Sequence, residues 1–283
     1  MSTETSPAPS QDALLPAEMA HLAEDIGVKK ANLAFMPMFS LAILAGAFVA
    51  LGGNFSTLAI TGAAGTLPFG VTRILAGLTF SLGLILVIVG GAELFTGNNL
   101  IVMAYASGRV TLRQLLRNWM VVYSGNFIGA LGIVLLVVLT KQHEFADGAV
   151  GKTLVAIAEK KCQLEFIPAI ALGIACNLLV CLAVWLCFST RTVTDKILAI
   201  VPPITAFVAG GFEHSVANMY FLPLGMMIQQ QIGGDHPSLT WSRIFLHNLL
   251  PVTLGNIIGG ALLVGLVYWS IYLRSQPQGA SRG

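Results

Sequence analysis

The sequence predicts an all-α polytopic membrane protein: six transmembrane helices in an inverted 3+3 repeat, with the second and fifth helices broken. Three observations carry that prediction. Of 283 residues only 10% are charged and 55% are hydrophobic, whereas a water-soluble domain carries about 25% charge to cover its surface. Apolar runs occupy residues 35–52, 72–106, 114–140, 166–189, 197–229 and 244–273, and a bilayer core about 30 Å thick takes about 20 apolar residues per helix. Finally, the second half of the chain repeats landmarks of the first.

Taken in order, residues 1–10 are mostly Ser, Thr, Pro and Ala, too poor in apolar side chains to fold. Met19, Leu22 and Ile26 then recur at helical spacing opposite Glu18, Glu24 and Asp25, predicting an amphipathic helix that closes a unit at 1–30. No cleavable leader is expected, because this stretch is polar and acidic. Residues 31–140 form the first three-helix half. The connection at 141–165 carries mixed charge. Residues 166–273 form the second half, and 274–283 a short tail. Basic residues near the ends of the runs favour one face by nine to six, which places both termini in the cytoplasm.

The repeat is specific. Arg113, Asn118 and Gly125-Asn126-Phe127-Ile128-Gly129 return 130 positions later as Arg243, Asn248 and Gly255-Asn256-Ile257-Ile258-Gly259, while Gly90-Gly91-Ala92-Glu93 returns 120 positions later as Gly210-Gly211-Phe212-Glu213. A three-span unit must cross the membrane in the opposite sense the second time, so the halves are inverted, as in many transport proteins. The Gly-Gly pairs mark helix breaks, and backbone left unwound at membrane depth survives only where protein or a water-filled cavity satisfies it. The glycines Gly125, Gly129, Gly255 and Gly259 provide close-packing faces within or between protomers.

Behind each break stands a polar cluster. Glu93 and Glu213 read as staples of the two breaks, with a proton relay as the competing reading. A histidine can present a neutral or a cationic donor, so His214 is suited to lending a hydrogen bond or a proton to a small anion; the alternative is a core histidine satisfied by a carbonyl. Thr96 and Asn218 either bond a passing solute or cap a half-helix. Lys161, at the end of the connection, is either an interfacial anchor or a lure for anions at a pore mouth. A net charge of +2 excludes a nucleic-acid footprint. The cysteines have no metal or redox spacing, and no nucleotide, hydrolytic or metal fingerprint occurs, so neither an enzyme nor a cofactor is expected. Membrane lipid is the expected surrounding.

Gly90-Gly91-Ala92-Glu93-Leu94-Phe95-Thr96, Gly173-Ile174-Ala175-Cys176-Asn177-Leu178-Leu179-Val180-Cys181-Leu182-Ala183 and Phe212-Glu213-His214-Ser215-Val216-Ala217-Asn218-Met219 together resemble the formate/nitrite transporter family, nearest its bacterial formate channels, over residues 30–272. The resemblance implies an aquaporin-like fold and a homopentamer in which each protomer has its own pore in the bacterial inner membrane. It implies a passive, pH-gated channel for formate and similar small monovalent anions, and leaves proton coupling, a nitrite or hydrosulfide preference, and neutral-solute permeation open. It puts His214 at the pore centre with Thr96 on a mobile loop and Asn218 beside it. It puts Phe80, Leu84, Leu94, Val180, Asn177 and Phe207 at the constrictions, and Lys161 in a vestibule.

Overall fold

A computed structural model describes residues 13–233 and 237–274. The expectations for residues 1–10, and for all but Arg274 of the tail, lie outside the described residues. Among the described residues there are helices and no strands. Helix α1 (Pro16–Ala31) lies at a surface. It starts with Pro16 at its first position and ends with Lys29 and Lys30, both of which suit the helix dipole. Helices α2 (Phe35–Ile60) and α3 (Phe69–Gly90) follow. After an irregular break come a tight turn at Gly97–Ile101, the short α4 (Val102–Ala106) and α5 (Leu112–Leu139). The second half comprises α6 (Ala149–Cys162), α7 (Phe166–Ser189), α8 (Val193–Gly210), a second break, α9 (Ser215–Ile232) and α10 (Arg243–Tyr272), the last with two π-wound stretches.

Six of these helices, α2, α3, α5, α7, α8 and α10, are long and apolar enough to cross a membrane. Their outward faces carry side chains such as Leu44, Phe69, Leu78, Leu135, Leu186 and Leu262, all exposed as a lipid-facing surface requires. Between the helices the contacts are made by small residues. A Cβ on Gly125 would meet Ala42, one on Gly129 the Ile43 carbonyl, one on Gly255 the Ile170 carbonyl and one on Gly259 the Ile174 carbonyl. The repeated glycine faces therefore join α5 to α2 and α10 to α7 within one protomer, settling the choice left open by the sequence.

Three expectations change. The first apolar run was expected to end near residue 52, but α2 continues through Gly52 and Gly53 because those glycines face neighbours: Gly52 abuts the backbone of Phe80 and Gly83, and Gly53 abuts Tyr220 and Phe221. The connection at 141–165 contains a full helix, α6, whose Val150, Leu154, Ala158 and Cys162 recur every fourth residue and are buried. And the broken spans are unequal, since α9 has 18 residues whereas the first break continues into one tight turn and five residues of α4. With α6 included, the repeat begins with α1 and α6, each packed at its own break.

Candidate functional site

Both breaks begin with the same local device. Helices α3 and α8 end at Gly91 and Gly211 in the left-handed region, at φ 77° and 75°, where only glycine is unstrained. The next amide turns back to the helix, Ala92 N–H donating to the Val87 carbonyl and Phe212 N–H to the Phe207 carbonyl. Beyond this point the backbone is extended and must borrow partners. Glu93 N–H donates to Leu41 of α2, and Glu213 N–H to Leu172 of α7. Asn126 accepts from Phe95 N–H and donates to the carbonyls of Ala42 and Glu93. Asn256 likewise accepts from Ser215 N–H and donates to the carbonyls of Gly173 and Glu213.

A second mirrored network holds the carboxylates. Lys30 Nζ, at the end of α1, donates to Glu93 Oε1 at 2.8 Å, and Lys161 Nζ, at the end of α6, donates to Glu213 Oε1 at 2.8 Å. Asn98 and Asn218 each donate to the second carboxylate oxygen at 2.7 Å and also to Asn118 and Asn248 respectively. Those two asparagines donate in turn to the backbone carbonyls of Lys30 and Lys161. Both of these buried carboxylates are thus paired and hydrogen-bonded, the condition under which a carboxylate is tolerable in an apolar interior.

Among the positions where the two breaks differ, one stands directly after the paired glutamates. Counting from the two glutamates, His214 stands where the first break has Leu94. His214 caps α9, its Nδ1 accepting from Ala217 N–H at 3.1 Å, so by its partners the neutral ring carries its proton on Nε2. That Nε2–H faces Thr96 Oγ1 at 2.9 Å, linking the two breaks across the middle of the protein. Phe207 stacks on the imidazole at 5.9 Å and meets Phe80 edge-on at 5.6 Å.

Two cavities approach this point from opposite faces. One, of about 300 Å³, is lined by Ala23, Gly27 and Lys30 of α1 together with Leu84, Glu93 and Leu94. The other, of about 460 Å³, is lined by Ile157 and Lys161 of α6 together with Phe80, Phe207, Glu213 and His214. Phe80 and Leu84 lie one turn apart on α3 and face different cavities, so the partition between them is no thicker than that turn, with the His214 to Thr96 bond beside it.

The formate/nitrite transporter profile matches residues 17–270. The chain belongs to the formate/nitrite transporter family. It is 48% identical to the formate channel FocA of Escherichia coli K12, over 93% of this chain and 96% of that one. It is 43% identical to FocA of Haemophilus influenzae, over 91% and 94%. A solved pentameric formate channel with formate bound superposes with a TM-score of 0.79 at 42% identity, covering 85% of this chain and 98% of that one.

Within this member of the formate/nitrite transporter family, His214, Phe80, Leu84, Leu94 and Phe207 stand at the cavity walls, and Thr96 bridges to the histidine. Asn218, Asn177 and Val180 line neither cavity. The Asn218 amide is engaged by Glu213 and Asn248, Val180 is buried in the core, and Asn177 donates to the carbonyls of Thr96 and Asn256 and to Asn99 Oδ1. Asn177 thereby pins the Thr96 segment to the second half. Lys161 lines its cavity, but with its charge balanced by Glu213.

Lys30 carries no signal in the sequence beyond that of one basic residue among those near the ends of the runs. Asn118, Asn126, Asn248 and Asn256 stand out there only as repeat markers without a role. Cys162, the cysteine outside the apolar runs, is buried at the end of α6, and burial pushes its thiol up to about 11, so it is not a reactive thiolate.

Asn256→Ala removes one acceptor and two donations at once, leaving Ser215 N–H buried without a partner. The expected loss is about 3 kcal/mol of stability, read as a lowered unfolding midpoint in detergent. A loss no larger than that of a lipid-facing Leu254→Ala control would overturn this role for Asn256.

Proposed function

We propose that this chain is a passive, pH-responsive channel for formate and related small monovalent anions, assembled as a homopentamer in the bacterial inner membrane with both termini cytoplasmic. The observation that carries this reading is a histidine placed between two cavities, directly after a paired glutamate, where the matching position of the other break is leucine. In this reading Phe80, Phe207, Leu84 and Leu94 form apolar collars that exclude hydrated ions. Between them the Nε2–H of His214 and the hydroxyl of Thr96 offer donors to an anion that has shed its water. A hydrogen bond to a charged group contributes about 1.5–3 kcal/mol, enough to offset part of that dehydration. Glu93 and Glu213, with Lys30, Lys161, Asn98 and Asn218, keep the two breaks open and rigid.

The relatives' names and the bound formate of the solved channel support formate as substrate and a pentamer as the assembly. The test is initial flux into proteoliposomes of formate, nitrite, hydrosulfide, acetate and glycerol. Formate is expected to enter at least tenfold faster than acetate or glycerol. Glycerol or water flux exceeding anion flux would overturn the anion reading.

A further inference from the structure

The two cavities share an electrostatic feature that the histidine does not explain. The α6-side cavity is bordered by Arg73, Lys160 and Lys161 against one carboxylate, Glu213, and the α1-side cavity by Lys30 and Lys196 against one carboxylate, Glu93. In each, the lysine at the end of the surface helix is bound to the glutamate at 2.8 Å. That pair cancels. What remains is Arg73 with Lys160 on one face and Lys196 on the other, and among the described residues none of these makes an ion pair with a carboxylate.

Arg73 and Lys196 also hold matching places. Each lies in the first turns of a broken span, and because α3 and α8 run antiparallel, each lies beside the glycine break of the other span. Arg73 Nε donates to the Ala209 carbonyl at 3.0 Å and Nη2 donates to the Val208 carbonyl, which anchors the guanidinium at the mouth of the break while Nη1 has no hydrogen-bond partner among the described residues. A guanidinium held this way presents its free edge as a planar fork, the geometry that suits a carboxylate. Lys196 borders the opposite cavity together with Gly91 and Ala92.

We propose that Arg73 and Lys196, and not Lys161, are the residues that concentrate substrate anions in the two vestibules, with Arg73 forming an outlying carboxylate-binding site ahead of the Phe80 and Phe207 collar. This rests on the anion-channel reading. Its signature is dependence on salt: fixed cations in a cleft raise the local anion concentration, and added electrolyte screens them over a Debye length of about 10 Å at 0.1 M.

The test is formate influx into proteoliposomes with the membrane potential clamped, at low and high ionic strength. Arg73→Gln and Lys196→Gln are each expected to raise the half-saturating formate concentration about fivefold at low ionic strength and to flatten its salt dependence, whereas Lys196→Arg retains the wild-type behaviour and Arg73→Lys, which keeps the charge but loses the fork, retains the salt dependence with a half-saturation raised about twofold. Because Arg73 also caps α8, a poorly folded Arg73→Gln leaves the decision to the Lys196 pair, whose side chain makes no ion pair among the described residues. Wild-type half-saturation and salt dependence in Lys196→Gln would overturn the inference while leaving the channel reading intact. A wild-type protein that carries no formate overturns the channel reading itself.

Discussion

His214→Ala is expected to reduce formate flux by at least tenfold and to abolish its response to external pH. The size follows from losing one hydrogen bond to an anion in a partly dehydrated site, worth about 1.5–3 kcal/mol, where 1.4 kcal/mol is a factor of ten. Alanine also removes the cap on Ala217 N–H, at a cost of about 1 kcal/mol in stability, so it confounds two roles. His214→Asn separates them. Asparagine is among the best N-cap residues and retains an N–H donor, but it cannot take up a proton near neutral pH. The Asn variant should keep the wild-type unfolding midpoint and part of the flux, and lose the pH response as completely as alanine does. Flux assays across external pH, paired with thermal unfolding in detergent, check both statements. A pH response that survives in His214→Asn would transfer the sensor to another group, and unchanged flux in His214→Ala would remove the histidine from the pathway.

The arrangement around His214 was legible in outline because an inverted repeat writes the same physical requirement twice. Unwound backbone in a membrane needs partners, and Asn126 and Asn256 supply them identically, so the motif Gly-Asn-x-Ile-Gly appears at matched positions whatever its apolar neighbours do. The breaks could be placed for a similar reason, since a left-handed residue ending a helix selects glycine at 91 and 211. What stayed hidden depends on direction and partnership. Nothing in the spacing of Asn177 says whether its amide faces a pore or, as found, the Thr96 carbonyl. Lys30 and Lys161 look like charges at helix ends, and only the folded chain brings them 63 and 52 positions along to Glu93 and Glu213. Helix α6 is hidden for another reason: its four-residue apolar period is present, but the mixed charge around it gives the connection the composition of a solvated link.

The Lys161 and Glu213 pair gives the second large effect, and it separates a structural role from an attractive one. The two side chains are 17% and 6% exposed, so each charge sits where water screens little of it. Lys161→Ala leaves the carboxylate of Glu213 buried with only asparagine amides for partners, and breaking a buried pair from one side costs about 3–5 kcal/mol. Glu213→Gln strands the lysine instead, yet Lys161 lies nearer the cavity and its ammonium can turn toward water, so the expected loss is smaller, about 2 kcal/mol. Replacing both, as Lys161→Met with Glu213→Gln, removes the two charges together and preserves the Glu213 side chain's bond to Asn218. Most of the stability should return. A double-mutant cycle on unfolding midpoints in detergent therefore yields a large favourable coupling if the pair is a clasp between α6 and the second break. Flux supplies the other half of the decision. Were Lys161 the anion lure of this vestibule, formate half-saturation in the double variant would stay raised after stability recovered. With its charge cancelled by Glu213 in the wild type, removing the pair leaves the net charge of the cavity unchanged, so half-saturation should return to within about twofold of wild type once the helix is held again.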